Sequence, residues 1–426
     1  MILTAEQVWA GRGRGFADGG VRIAAGRIAA VGPRRELVDG SPEEPHLHLA
    51  GCCLLPGLIN AHCHLELSAL GQIRPAAPDF IDWLLDLIRD KARLDMGTAA
   101  AAAEEAIAAL PRLGTTAIGD IDSLGVAVAP LIAAGLRARI DVEVLGRDPA
   151  RAHGMVRRLV EEWQRVSRLG GALVTAGVSP HAPYTVGDAL WRELARWCLS
   201  NEAPLTIHAA ESAAEVAFLK GGKGPLAERL LPAVGGDRLP PPAVGETTVS
   251  ILAGHGLLEG AHLIHAVHLN DAEIAQVARA RCAITHCPRS NAYLGQPRAP
   301  VGRWLAAGIP VGLGTDSLAS NLSLDLWEEM RFAYLWHRSG PEPLAAEEIL
   351  HMATAGSARA LGWQGVTGAL APGLAADLVA VALPAGPVER LPERLVCDGA
   401  AAGVRLALVA GRPVWQAPGI ELPPAF

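Results

Sequence analysis

Short apolar runs alternate with two kinds of spacer along these 426 residues, and the spacers divide the chain into three stretches. Near the start, Gly-rich turns separate the runs: Val21-Arg22-Ile23 is followed by Gly26-Arg27-Ile28-Ala29-Ala30-Val31-Gly32. This pattern predicts hairpin strands, too few to enclose a core alone. The far end repeats it. Asp377 to Val381, and Val404 to Val409 followed by Gly411-Arg412, read as strands with tight turns. The two ends are therefore expected to pair into one small β-sandwich domain, residues 1–57 with 369–426.

Between them the spacers are longer and amphipathic. Apolar runs followed by such stretches are the pattern of a parallel sheet with crossover helices. Eight candidate strands stand out, at 53–62, 115–122, 138–146, 173–179, 204–210, 262–268, 282–287 and 310–316. Eight such units predict a (β/α)8 TIM-type barrel over residues 58–368, with its chemistry at the C-terminal ends of the strands.

Composition narrows the class. Half the residues are hydrophobic and 19% are charged, which excludes wholesale disorder. The 37 basic and 44 acidic residues give a net charge of −7 without blocks, which argues against a nucleic-acid partner. No apolar run reaches the roughly 18–20 residues of a membrane span. The N-terminal MILTAEQVWAGRGRG lacks the basic flank and apolar core of a signal peptide. Seven cysteines form no CxxC pair, so reduced thiols and a cytoplasmic location are expected.

The strand ends carry the candidate chemistry. The first ends in Asn60-Ala61-His62-Cys63-His64, and histidines two apart on a strand share a face. The fifth ends at His208, with Glu211 three residues on. The sixth ends in His265-Ala266-Val267-His268, the seventh in Thr285-His286-Cys287, and the eighth in Gly314-Thr315-Asp316. Each residue alone has a plainer reading: His208 or His265 as a hydrogen-bonded core histidine, Asp316 as a helix cap. Together, at one level of one architecture, three neutral imidazoles and a carboxylate suit a divalent ion, Zn²⁺ or Fe²⁺. His262 and His268 read as packing or supporting groups.

The stretches PGLINAHCHLELS, SPHAPYT, HAAES, HLIHAVHL, THCPRSNAYLG, GLGTDSLASN and GALAPGLAADLV resemble the deaminase/chlorohydrolase branch of the amidohydrolase superfamily over nearly the whole chain. The resemblance implies metal ligands at His62, His64, His208 and Asp316. It implies a proton shuttle at Glu211, a hydroxide-holding histidine at His265, and a substrate contact at His181. Asp316 doubles as the base that takes a proton from water. Binuclear members often bridge two ions with a lysine on a middle strand. The three lysines, Lys91, Lys220 and Lys223, all lie off the candidate strands, so one ion is favoured, with a bridging Glu143 as the alternative.

Substrate clues are weaker. HLELS, DFIDWL, GKGPL and THCPRSN look most like the aminodeoxyfutalosine deaminases of menaquinone biosynthesis, which act on a 6-aminopurine nucleoside with an aromatic carboxylate extension. Deaminases of S-adenosylhomocysteine and methylthioadenosine usually carry a carboxylate where Ile81 stands here. On this resemblance Glu66 and Ser68 follow the first metal motif, with Glu66 engaging the ribose or capping a helix. Trp83 walls the pocket or packs in the core, and Arg289 or another arginine at the mouth meets the carboxylate. Guanine- or triazine-type ring substrates, a binuclear lactone or phosphotriester hydrolase, and a non-catalytic assembly protein are the competing readings. A homodimer is common in such proteins. The Pro- and Gly-rich stretch 232–250 is expected to be an extended loop.

Overall fold

The computed structural model describes residues 1–71, 79–236, 244–399 and 403–423. Strands β1 (Ile2–Gly11), β2 (Arg14–Ala24), β3 (Arg27–Pro33) and β4 (His46–Pro56) open the chain. Then come β5 (Leu58–Cys63), β6 (Thr115–Asp122), β7 (Arg137–Val144) and β8 (Val174–Pro180). They are followed by β9 (Thr206–Ala209), β10 (His262–His265), β11 (Ala283–His286) and β12 (Val311–Leu313). Strands β13 (Leu378–Ala382), β14 (Val404–Val409) and β15 (Arg412–Gln416) close it.

The two chain ends do pair. Their strands are joined in one hydrogen-bonded seven-stranded mixed sheet, ordered β15-β14-β13-β4-β1-β2-β3. Both faces of its centre are buried. Leu54, Leu378, Ala380, Leu406 and Leu408 face one core with Leu3, Val21 and Ile28. The alternate residues Cys53, Leu55, Val379, Val381, Ala407 and Val409 face the larger core of the barrel-like part. This is why these strands read as continuous apolar runs and not as alternation. The β2–β3 turn folds back on the segment before β13, where Ala376 N–H donates to the Gly26 carbonyl at 3.0 Å. The sheet thus wraps its own core.

The eight middle strands are all parallel and fall into two half-sheets, β5-β6-β7-β8 and β12-β11-β10-β9. One seam carries an isolated parallel bridge, Val178 to Leu205. At the other seam no ladder joins β5 to β12 among the described residues. There Asp316 N–H donates to the His62 carbonyl at 3.1 Å, and Thr315 N–H donates to Asn60 Oδ1 at 3.1 Å. A Cβ on Gly314 would lie 2.9 Å from the His62 Cβ, so only glycine lets the chains approach so closely. The arrangement is barrel-like. The expected first strand, 53–62, is two strands: residues up to Pro56 belong to the seven-stranded sheet, and Gly57, wedged against Thr116, marks the break.

Helices cover the outside by their 3.6-residue period. The helix Ala152–Leu169 buries Ala152, Val156, Leu159 and Val166 and exposes Arg157, Arg158 and Glu161. Within the 232–250 stretch, residues 237–243 lie outside the described residues. Its flanks are helical where a loop was expected, at Leu231–Ala233 and Thr248–Gly254, the latter opened by a Thr247–Ser250 capping box. No helix among the described residues is long and apolar enough to cross a membrane.

A buried ion pair joins the two parts. Arg137 on β7 donates through Nε to Asp377 Oδ2 at 2.8 Å and through Nη2 to Oδ1 at 3.3 Å, both side chains being buried. Removing one partner leaves the other charge buried and unpaired. The Asp377→Ala variant is therefore expected to lose about 3–5 kcal/mol of stability. Denaturant unfolding measures this, and an unchanged midpoint would show that the pair contributes nothing.

Candidate active site

The site is built where the parallel strands end. Three of them stop in residues held at left-handed φ: Ala210 at 47°, His265 at 69° with Ala266 at 52°, and Asp316 at 58°. Such conformations are costly for non-glycine residues and persist only where surrounding structure imposes them. Here they stand at the last residue of β10, His265, and three residues past β12, at Asp316.

His62, His64, His208, His265 and Asp316 converge at this point. His62, His64 and His208 each place a ring nitrogen within 4.8 Å of the others, and ring nitrogens of His62 and His265 lie equally close to each other and to a carboxylate oxygen of Asp316. His64 Nε2 and His208 Nε2 are 3.2 Å apart. Asp316 Oδ1 lies 3.4 Å from His62 Nε2 and 3.8 Å from His64 Nε2. Glu143 belongs to neither group.

This donor set fits a cation. The His208 Nδ1 is 2.9 Å from the His181 carbonyl, an acceptor, so Nδ1 carries the proton and the Nε2 lone pair points inward. The buried His62 Nε2 has no hydrogen-bond partner. Burial pushes His64, His208 and His265 well below the usual imidazole range, so they are neutral and their nitrogens are free to coordinate. Burial opposes ionisation of Asp316, but the neighbouring His62, His265 and His64 outweigh it and hold the carboxyl well below its ordinary range. Asp316 Oδ2 accepts from Ser290 Oγ at 2.6 Å and Ser320 Oγ at 2.9 Å, and Oδ1 accepts from Ser317 N–H at 2.8 Å. Three buried imidazoles and one ionised carboxylate, with His208 and Asp316 held from behind, could hold a divalent metal.

Glu211 stands beside this group, its Oε1 3.6 Å from His265 Nε2. Burial, then the charges of Asp316 and Glu215, push its carboxyl well above the ordinary range. Glu215 anchors the turn that presents it, accepting from Ala210 N–H at 2.8 Å, Glu211 N–H at 3.0 Å and Thr248 Oγ1 at 2.6 Å. The Asn291 amide meets His265 Nδ1 at 3.1 Å and fixes that ring. His262 lies deeper, in a buried network with Arg139, Asp141, Thr206 and Thr285 under the site. His286 turns away to His337, Nε2 to Nε2 at 3.0 Å.

A cavity of about 560 Å³ opens onto these groups and is lined by His64, His181, His208, Glu211, His265 and Asp316. Its far wall is apolar: Phe80, Trp83, Leu84, Leu87 and Ile88 from the helix Phe80–Lys91, with Leu230, Leu231 and Val234 opposite. His181 and Trp83 thus reach the cavity, Trp83 with its indole N–H donated to the Ala319 carbonyl at 2.9 Å. Three residues expected at the substrate do not line this cavity. Glu66 is fully buried behind Lys91 and Ser123. Ser68 is not on the cavity surface. Arg289 is turned to Glu328 Oε2 at 2.7 Å and Ser323 Oγ at 3.1 Å, because Glu328 and Glu329 on the neighbouring helix attract its charge. The arginine on the cavity wall is Arg147, and Lys91, Ser123, Glu143 and Tyr184 also line it. The rarity of lysine was the one sequence signal that could have singled out Lys91. A larger cleft of about 890 Å³, between the seven-stranded sheet and the barrel-like part, holds none of the converging histidines.

The family model for the amidohydrolase family matches residues 53–414. The chain belongs to the amidohydrolase family. This amidohydrolase is 34% identical, over 98% of its length and 91% of the relative's, to a 5-methylthioadenosine/S-adenosylhomocysteine deaminase from Syntrophobacter fumaroxidans. It is 34% identical, over 78% of its length and 79% of the relative's, to an aminodeoxyfutalosine deaminase from Deinococcus radiodurans. Its fold matches the structure of an adenosine deaminase from Xanthomonas campestris with bound zinc, at a TM-score of 0.81 and 26% identity, over 97% of this chain and 92% of that one. The resemblance read from the motifs is thereby met at the level of the family and its deaminase branch.

Proposed function

We propose that this amidohydrolase is a metal-dependent hydrolytic deaminase of a 6-aminopurine nucleoside, with 6-aminodeoxyfutalosine as the favoured substrate. The class, hydrolysis of a carbon–nitrogen bond in a cyclic amidine, is that of its relatives. The observation that carries the reading is a buried Glu211, its carboxyl pushed well above the ordinary range, beside a cluster of histidines and an aspartate that opens on one cavity through His64, His208, His265 and Asp316.

His62, His64, His208 and Asp316 would hold the ion, for which zinc is the first candidate and Fe²⁺ the second. When bound, the ion acts as a Lewis acid and makes hydroxide available from water at neutral pH. Asp316, ionised and an acceptor only, takes the proton released as water adds to the ring carbon bearing the amino group. Glu211 gives its proton to the adjacent ring nitrogen, which removes negative charge from the attacked ring. His265 hydrogen-bonds the oxygen as the carbon becomes tetrahedral. As the carbon–nitrogen bond breaks, the amine takes the proton from Asp316 and leaves as ammonia. The hydroxyl proton returns to Glu211 as the carbonyl forms, and the ring nitrogen keeps the proton it received.

The cavity wall supports an aromatic carboxylate beyond the sugar. Phe80, Leu84, Leu87 and Leu231 suit a ring, and Arg147 suits an anion. A second reading, methylthioadenosine or S-adenosylhomocysteine, is favoured by the relative that covers nearly the whole chain. A screen of adenosine, 5′-methylthioadenosine, S-adenosylhomocysteine and 6-aminodeoxyfutalosine, followed by the ultraviolet change on deamination, tests both. The highest kcat/KM is expected for the aryl carboxylate. A preference for S-adenosylhomocysteine would select the second reading, and ammonia from none of the four would overturn both.

A further inference from the structure

A polar group on the cavity wall takes no part in the proton transfers above. Lys91, Ser123 and Glu143 line the cavity, from the end of the helix Phe80–Lys91, the turn after β6, and β7. Glu66 holds two of them from behind. Its carboxylate accepts from Lys91 Nζ at 2.5 Å, Ser123 N–H at 2.7 Å and Ser123 Oγ at 3.0 Å. Burial opposes ionisation of Glu66, but Lys91 outweighs it and keeps the carboxylate charged. Burial likewise disfavours the ammonium of Lys91, and the charges of Glu66 and Glu143 overcome it. Lys91 and Glu66 are thus a closed ion pair.

Glu143 is different. Its side chain is 5% exposed, Lys91 Nζ lies 4.0 Å from its Oε2, and it makes no hydrogen bond among the described residues. A buried carboxyl without a hydrogen-bond partner is unfavourable unless a ligand supplies one. The chemistry of that ligand is constrained from both sides. An anion would meet Glu143, Glu66 and Asp122, and a cation would meet Lys91. A neutral group with donors and acceptors close together meets neither obstacle.

We propose that Glu143, flanked by Lys91 and Ser123, binds the vicinal hydroxyls of the substrate's sugar and so selects ribonucleosides. This rests on the nucleoside reading above. Glu143 accepts from one or both hydroxyls, and Lys91 Nζ and Ser123 Oγ are placed to bond the oxygens. Burial, against the charge of Lys91, pushes the Glu143 carboxyl up to about 7, and its ionised and protonated forms can each bond a hydroxyl.

The test compares adenosine with 2′,3′-dideoxyadenosine on the metal-loaded enzyme. A site built to bond hydroxyls rejects the analogue that lacks them, so wild type should favour adenosine about 100-fold in kcat/KM. Glu143→Leu should lower kcat/KM for adenosine by about that factor, and leave the dideoxy analogue within about threefold of wild type. Glu143→Gln, which keeps shape and hydrogen-bonding atoms, should hold an intermediate preference of about tenfold. Melting temperature and metal content accompany each variant. If the leucine variant does not fold, the glutamine variant decides, and an unchanged preference there overturns the proposal. A wild-type enzyme that deaminates both nucleosides equally overturns it while leaving the deaminase reading intact. A wild type that deaminates neither, nor any nucleoside of the wider screen, retires that reading and this one together.

Discussion

Glu211→Gln is expected to retain its metal and lower kcat about 10³-fold, within the range lost when a general acid is removed. Glutamine preserves the shape of the side chain but has no acid proton to give to a ring nitrogen. Glu211 is not one of the clustered cation-binding groups, so elemental analysis should give the same metal content as wild type. The pH behaviour of the metal-free protein has a definite sign. The folded-state pKa is raised above that of an unfolded glutamate by burial first, then by Asp316 and Glu215. The stability tied to the neutral carboxyl is fully present below the unfolded glutamate pKa and is lost as pH rises through the folded one. The glutamine variant lacks that loss, so it should match wild type in acid and exceed it in alkali. Unfolding curves across pH measure the difference. Wild-type turnover in this variant would remove Glu211 from the mechanism.

The second large effect is expected from the ion-binding cluster. His208→Ala and Asp316→Ala should each abolish metal retention and reduce activity to background, since four donors are the usual complement for such an ion and the cluster offers few substitutes. Wild type should hold one ion per chain by elemental analysis. Stripping it with a chelator should stop turnover, and added Zn²⁺ should restore it. The melting temperature should fall as well, because an ion that binds only the folded chain stabilises it by about 2.7 kcal/mol at a hundred times its dissociation constant. Two ions per chain would point to a binuclear centre, and full activity after stripping would end the metal-dependent reading.

The two sets of expectations differ in how local they are. His62, His64, His208, His265 and Asp316 could be singled out because each follows an apolar run at the end that a parallel strand presents to the barrel mouth. Period-two alternation puts His62 and His64 on one face, and the chain order of strands does the rest. The pairing of the two chain ends was legible for a similar reason, since hairpins too small to bury a core must find partners. That all seven strands join in one hydrogen-bonded sheet was not legible, because pairing order depends on which edges meet, and alternation looks alike in one sheet or two.

Glu66 shows where local reasoning stops. From the sequence it follows a metal motif and invites a role at the substrate, yet the fold brings Lys91 from 25 residues away to cover it. Arg289 is similar: a charge at a barrel mouth, claimed by Glu328 and Glu329 of the next helix. Long charged side chains reach in many directions, and the outcome is set by which opposite charges packing brings near.

By itself the sequence determined the strand-and-helix alternation, the residues standing at the strand ends, and through them the cluster that could hold an ion. Those features follow from short-range periodicity. Only the tertiary structure decided which polar groups face the cavity, so that Lys91, Ser123, Glu143 and Arg147 line it while Glu66, Ser68 and Arg289 do not. The reason is physical: a cavity wall is assembled from segments far apart in the chain, and no local pattern records which of their side chains will be desolvated against one another.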